Sequence, residues 1–341
     1  VQFGAIVKRD FINIGINTQG QLPSLATYIR KQFEMLLPSI ALIKRLLHFK
    51  EFINKHTKSN SHRSRIWHQL LSLAKTNSED LLSEQVKHIV KSNQAAVVSI
   101  VGAGPGDEQL LTIKAHNALA SADYILYDRL VNSSILNLAR RDAILQLVGK
   151  NSENNKHSTN QNAINQDLVK LAKQGYNVVR LKGGDPFIFG RGGEELQFLQ
   201  QANIDYQVIP GITSALGCAS YCDIPLTHRD YANSLRLITA HRANGQYVFR
   251  IDRQCFDNQT VIFYMAVGAM PEIYNQLLTL KIDLSLPIAI VENGTTNQQK
   301  LTLATAEQLP NLTTAIKAPA IIIMGRVVSL HPKWQETQSK Q

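Results

Sequence analysis

From residue 95 to residue 330 short apolar runs alternate with helix-period stretches, and no other feature of the chain constrains its fold as strongly. The runs are Val97–Val101, Tyr124–Tyr127, Ile144–Val148, Val178–Leu181 and Tyr206–Ile209, followed by Leu235–Ala240, Thr260–Met265, Pro287–Val291 and Ala320–Met324. Each is too short for a helix and rich in Val, Ile, Leu and Tyr, so each reads as a buried strand. Strands separated by helices build layered α/β sheets, with ligands at the carboxyl ends of the strands. Pro210-Gly211 divides the runs into two sets. The expected fold class is α/β, with one lobe over 96–210, a second over 211–330 and a tail at 331–341.

The strand ends carry the candidate chemistry. After Val178–Leu181 the chain reads Lys-Gly-Gly-Asp-Pro-Phe-Ile-Phe-Gly-Arg-Gly-Gly-Glu-Glu through Glu195, with glycine at 183, 184, 190, 192 and 193. A plain turn needs neither that length nor so many glycines, whereas a loop whose backbone approaches a ligand does. Gly102-Ala103-Gly104-Pro105-Gly106-Asp107 follows the first run. In the dinucleotide pattern Gly-x-Gly-x-x-Gly the third glycine falls at position 107, where an aspartate stands. Its carboxylate repels a pyrophosphate, and Pro105 lacks the N–H that would bind one. Further polar or glycine-rich ends occur at Asp128-Arg129, Gly149-Lys150, Gly211-Ile212-Thr213-Ser214 and Glu292-Asn293-Gly294-Thr295. Spread over two lobes, these ends converge best on a cleft between them. The phosphate-binding Gly-x-x-x-x-Gly-Lys-Ser/Thr, the Gly-x-Ser-x-Gly of hydrolases and the His-Glu-x-x-His of metalloproteases are all absent from the sequence.

Composition narrows the classes further. No stretch of eighteen apolar residues occurs, so no membrane span is expected. The chain starts at Val1 without the pattern of a secretory signal, and the missing Met suggests a processed chain or a fragment. The three cysteines, Cys218, Cys222 and Cys255, form no Cys-x-x-Cys and read as buried thiols of a reducing cytoplasm rather than a metal site. The formal charge of +10 is concentrated in residues 1–95, which hold 14 Lys and Arg against 6 Asp and Glu. No nucleic-acid motif accompanies it, so solvated basic helix faces are expected. In that segment Phe11–Asn17 reads as a strand and Pro23–Leu36 as a helix. Pro38 opens a second helical pattern with a stripe at Leu42, Leu46, Phe49 and Ile53. Helices are also expected near Arg63–Lys75 and Glu79–Lys91, with Ser92-Asn93-Gln94 as a linker. The Asn-rich stretch 151–162 reads as a mobile loop and a candidate lid.

Taken in order, several blocks resemble a known family. They are Gly102–Asp107, Tyr127-Asp128-Arg129-Leu130-Val131, Val148-Gly149-Lys150, Arg180–Glu195, Pro210-Gly211-Ile212-Thr213, the run from Ile224 to Ala232, and Val291–Thr295. Together they resemble the uroporphyrinogen-III C-methyltransferases, tetrapyrrole methylases that use S-adenosylmethionine. The resemblance covers about residues 96–330. Ahead of it, Asn17–Pro23 and the following helix are similar to the dimerisation region of siroheme synthase, a fused enzyme that carries this methylase at its C-terminus. The nicotinamide-binding domain of that enzyme, with its aspartate for precorrin-2 oxidation and iron insertion, has no counterpart in this sequence.

The resemblance implies a two-lobed methylase with an active-site cleft between lobes, preceded by a mostly helical segment over 1–95. It implies methylation of uroporphyrinogen III on rings A and B to precorrin-2, in siroheme or cobalamin biosynthesis. It makes Asp128 the proton acceptor and Lys150 the proton donor. Beyond Lys150 the family usually continues Arg-Ala-Gly, whereas this chain reads Asn151-Ser152-Glu153. S-adenosylmethionine is expected against Pro105, Gly183, Gly184, Asp185, Ile188, Thr213, Ser214, Met265 and Gly294, with Ser214 replacing the usual alanine. Arg129, Arg191 and Arg229 are expected to meet the carboxylates of the substrate through bidentate pairing. No metal is implied. The expected state is a cytoplasmic homodimer that binds neither nucleic acid nor membrane. Three other readings stay open: a nicotinamide oxidoreductase built on Gly102–Gly106, a fragment of a trifunctional siroheme synthase, and a non-catalytic dimerising remnant.

Overall fold

A computed structural model describes residues 5–37, 39–56, 63, 66, 67, 70, 97–149, 161–243 and 246–334. The chain divides into two compact units, Val1–Gln94 and Ala95–Gln341.

The first unit opens with a hairpin. Strand β1 (Ala5–Arg9) pairs antiparallel with β2 (Ile12–Ile16), Val7 lying opposite Ile14. The turn is made by Asp10 at φ 55° and Phe11. Asp is among the residues that enter this left-handed region most readily. Helix α1 (Pro23–Leu36) begins at Pro23, whose missing N–H is one the first turn would leave unpaired in any case. At its other end the Arg9 guanidinium donates to the carbonyls of Leu37 (2.6 Å) and Glu34 (3.1 Å). A cation there satisfies unpaired carbonyls and opposes the negative end of the helix dipole. Helix α2 (Ile40–His56) buries Leu46 and Ile53 against Ile66 and Leu70, with Phe49 half-buried beside them, and Ile43 is buried as well. Most of Arg63–Lys75 and all of Glu79–Lys91 lie outside the described residues.

In the second unit, one sheet holds β3 (Val98–Gly102), β4 (Tyr124–Tyr127), β5 (Ile144–Leu147), β6 (Val178–Lys182) and β7 (Tyr206–Ile209). All pair in parallel, in the order β5-β4-β6-β3-β7. Helices α3 (Ile113–Ser121) and α4 (Ser133–Leu136) cover one face, packing Leu119 and Ile135 on Val101, Val179 and Leu181. Helices α5 (Gln161–Lys173) and α6 (Gly192–Gln201) cover the other, packing Ile164, Leu168 and Leu199 on Val98, Ile100 and Val178. The strand period of two therefore puts Val179 and Leu181 on one face and Val178, Arg180 and Lys182 on the other. All five residues of β6 are buried, the arginine and lysine included.

Helix α7 (Ser214–Tyr221) leads to a second sheet of β8 (Ser234–Thr239), β11 (Gln259–Tyr264), β12 (Pro287–Glu292), β13 (Lys300–Thr305) and β14 (Ala320–Met324). Its order is β13-β12-β14-β11-β8. Only β8 and β11 pair in parallel, and the other contacts are antiparallel. A small hairpin, β9 (His241–Ala243) and β10 (Gln246–Val248), leaves the end of β8. Helix α8 (Met270–Thr279) and the short α9 (Leu309–Leu312) pack one face around Phe263, Ile273 and Ile290. Helix α7 packs the other face with Ala215 and Ala219 against Ile262 and Ile323. No described helix is long and apolar enough to cross a membrane.

Candidate active site

The central strands β3 and β6 end side by side, and their loops are joined through backbone. Gly104 N–H donates to the Gly184 carbonyl (3.1 Å) and Gly184 N–H to that of Gly104 (2.7 Å). Gly184 sits at φ 67°, a conformation that favours glycine. The loop after β7 closes on the same place. A Cβ on Gly211 would lie 2.3 Å from the Gly184 carbonyl oxygen. Much of the glycine density thus serves loop-on-loop contact as well as approach to a ligand.

These loops form one side of a cavity of ≈ 1370 Å³, and the second lobe forms the other. Pro105, Gly183, Gly184, Asp185, Ile188, Thr213, Ser214, Met265 and Gly294 all line it, as do Asp128, Arg129 and Arg191. Arg229 is not part of the lining. Lys150 and 151–160 lie outside the described residues, while the neighbouring Gly149 lines the cavity. Among the described residues no group of three or more His, Cys, Asp or Glu is placed to hold a metal ion.

The polar groups of the wall have specific partners. One oxygen of Asp185 accepts from Phe187 N–H (2.8 Å), and the other from Gly211 N–H (3.1 Å). Two of the roughly four acceptor positions of a carboxylate therefore remain for a ligand. The Tyr264 hydroxyl meets Thr213 Oγ1 at 2.6 Å and accepts from Ala215 N–H at 2.9 Å, fixing the start of α7. Burial pushes the Tyr264 phenol above its ordinary range, so it stays neutral at the wall. Arg191 forms a two-point fork on Glu194 at 2.9 and 2.6 Å, so a substrate carboxylate would meet an arginine already paired. Asp107 is not part of the cavity lining. It accepts from Tyr221 OH (2.6 Å) and Gln109 N–H (2.8 Å), and its own N–H donates to Thr295 Oγ1 (3.0 Å).

Residues 97–310 match the family described as Tetrapyrrole (Corrin/Porphyrin) Methylases. The chain belongs to this family. The methylase is 41% identical over 347 residues to the siroheme synthase of Blochmanniella pennsylvanica, covering 97% of this chain and 72% of the relative. It is also 41% identical to siroheme synthase 2 of Yersinia enterocolitica, covering 96% and 71%. Among solved structures it resembles the uroporphyrin-III C-methyl transferase of Thermus thermophilus complexed with S-adenyl homocysteine. That likeness has 36% identity and a TM-score of 0.59, covering 69% of this chain and 94% of the other. A cobalt precorrin-4 methyltransferase shares the fold at 21% identity and a TM-score of 0.59.

Behind Asp128 the methylase buries a group of charges that the sequence reading passed over. Arg180 Nη2 donates to Asp128 Oδ1 at 2.5 Å, and its Nε donates to Glu195 Oε1 at 2.9 Å. Lys182 Nζ lies 3.0 Å from Glu195 Oε1 and 3.6 Å from Asp128 Oδ2. Burial works against the charge on Arg180, but Glu195 and Asp128 outweigh it and raise its affinity for its proton. The available signal was the pair of cations two residues apart inside an apolar run. One strand face held both, and a carboxylate had to answer them.

Proposed function

We propose that this methylase transfers methyl groups from S-adenosylmethionine to rings A and B of uroporphyrinogen III, forming precorrin-2 for siroheme or cobalamin synthesis. The observation that carries this reading is the cavity itself, whose wall contains all nine positions expected to meet the cofactor, with Asp128 beside them. The room is ample. A site for one drug-sized ligand has roughly 300–1,000 Å³, and ≈ 1370 Å³ admits a cofactor together with part of a macrocycle. A glycine backbone wall and the free acceptor positions of Asp185 suit a ligand that carries both a flat base and cationic centres.

When bound, S-adenosylmethionine supplies a methyl group that its sulfonium makes electrophilic. The chain's residues do the rest by position. The loops after β3, β6 and β7 would hold the donor, and the second lobe would cover it and exclude water. Alignment of this kind can supply roughly 7–11 kcal/mol of a barrier. Asp128 accepts the proton that a pyrrole ring must lose once its carbon has attacked the methyl group and S-adenosylhomocysteine has left, and Lys150 returns a proton. Arg129 meets substrate carboxylates at the mouth of the cavity. Arg191 does so by exchanging Glu194, and Arg229 acts from outside the described lining. The same reading makes the chain a cytoplasmic homodimer.

The test is direct. Purified chain is incubated without oxygen with S-adenosylmethionine and uroporphyrinogen III, and the products are separated by mass. The expected result is stepwise gain of a first and a second methyl group. Absence of any methylated product with enzyme equal to substrate would overturn the reading. Replacing Asp128 with Asn is expected to lower turnover at least tenfold with S-adenosylhomocysteine affinity retained.

A further inference from the structure

We infer that Arg180, Lys182 and Glu195 form a buried ionic cradle that fixes the plane of the Asp128 carboxylate at the cavity wall, with Lys182 as a positioning residue for turnover. The inference rests on the reading of Asp128 as the proton acceptor.

Arg180, Lys182 and Glu195 have side chains 2%, 3% and 0% exposed, whereas Asp128 is 30% exposed. Asp128 is thus the most exposed member of the cradle, and Arg180 and Lys182 also line the cavity wall. Glu195 gathers three donors on Oε1: Arg180 Nε, Lys182 Nζ at 3.0 Å and Gln161 Nε2 at 3.0 Å. Arg180 uses every edge of its guanidinium, its Nη1 reaching the carbonyls of Leu126 and Leu181 at 3.3 Å each. A guanidinium held on three sides cannot follow Asp128 if that carboxylate turns. Arg180 alone contacts only Oδ1, however, and the terminal torsion of an aspartate is broad. Lys182, 3.6 Å from Oδ2, supplies the second point that defines the plane.

Stability alone does not call for this arrangement. Replacing a buried ion cluster by well-packed apolar residues is often neutral or stabilising, and the opposite face of the same strand carries Val179 and Leu181. The cluster holds two cationic and two carboxylate side chains, so the formal charges of the four cancel. Other charged groups near this wall are Arg129, next in the chain, and Asp185 and Arg191 in the loop after β6.

The test separates holding from binding. In the full chain, Lys182→Met removes the second contact while keeping a long unbranched side chain. It is expected to lower kcat by about 10- to 100-fold, the loss that small misplacement of a reacting group produces. The dissociation constant for S-adenosylhomocysteine, measured by calorimetry, is expected to stay within about twofold. In an Asp128→Asn background, Lys182→Met is expected to cost no further single-turnover rate, as for residues acting as one unit. Glu195→Gln keeps shape and an acceptor for Arg180 and Lys182. It is the second variant, with the same expected split at smaller size. Additive losses in the Asp128→Asn background, or a weakened S-adenosylhomocysteine affinity with kcat unchanged, would overturn the cradle. Full turnover by Asp128→Asn alone would instead remove the reading on which it rests.

Discussion

Asp107 gives the glycine loop after β3 its anchor. Its carboxylate accepts from Tyr221 and Gln109, and these bonds, the tyrosine's first, hold it below its ordinary value of 3.8. The same bond, with a smaller effect of burial, pushes the Tyr221 phenol above 10.0. A carboxyl lowered in the folded state contributes stability above its unfolded value and loses it as pH falls through the folded one. A phenol raised in the folded state contributes below its unfolded value and loses it as pH rises through the folded one. Tyr221→Phe is therefore expected to be less stable than the parent between about pH 4 and pH 10, with the difference shrinking on either side. Tyr221 is exposed and Asp107 only half-buried, so the effect is small. Urea unfolding midpoints across that range, compared for the two chains, measure it. A difference that grows below pH 3.8 would reverse the assignment of donor and acceptor.

Strand β6 shows where an apolar run conceals polar work. Val178–Leu181 was legible as a strand, and β4, β7 and β14 run over the very residues their apolar composition marks. Length and apolar content marked these strands but not their burial: β5, expected to be buried, lies at the sheet's edge and leaves Ile144, Leu145 and Leu147 exposed. Strand β13 escaped that criterion, because Leu301 and Leu303 alternate with polar residues, as they do on an edge strand with one half-buried face. Strand β1 escaped it because Lys8 and Arg9 cut its apolar run short after Val7. The glycine loops were legible as a site because no turn needs them. Arg180 and Lys182 were not, because their partners, Asp128 and Glu195, stand 52 and 13 residues away in sequence. The strand's stability depends on those partners. Arg180→Leu leaves Asp128 and Glu195 to share Lys182 as their one cation, and breaking a buried pair in this way costs about 3–5 kcal/mol. Denaturant unfolding of the second unit is expected to show a loss of that size. A loss under 1 kcal/mol would mean that Lys182 alone balances the cluster.

Within Ala95–Gln341 the two sheets are linked through the site. Asp107 reaches Thr295 and Tyr221 across the lobes. The cavity takes Gly184 and Asp185 from one lobe and Thr213, Met265 and Gly294 from the other. A ligand seated there touches both, so its binding free energy must be lost when either lobe unfolds. Ligand-linked stabilisation follows the ratio of free ligand to dissociation constant, giving about 2.7 kcal/mol at a hundredfold excess. S-adenosylhomocysteine at that excess is expected to stabilise both lobes together by this amount, and calorimetry is expected to show a single ligand-shifted transition for them. Hydrogen exchange assigns the protection by lobe. Slowed exchange in β3 and β6 with none in β11 and β12 would place the ligand on the first lobe alone, and the second lobe would then serve only as a cover.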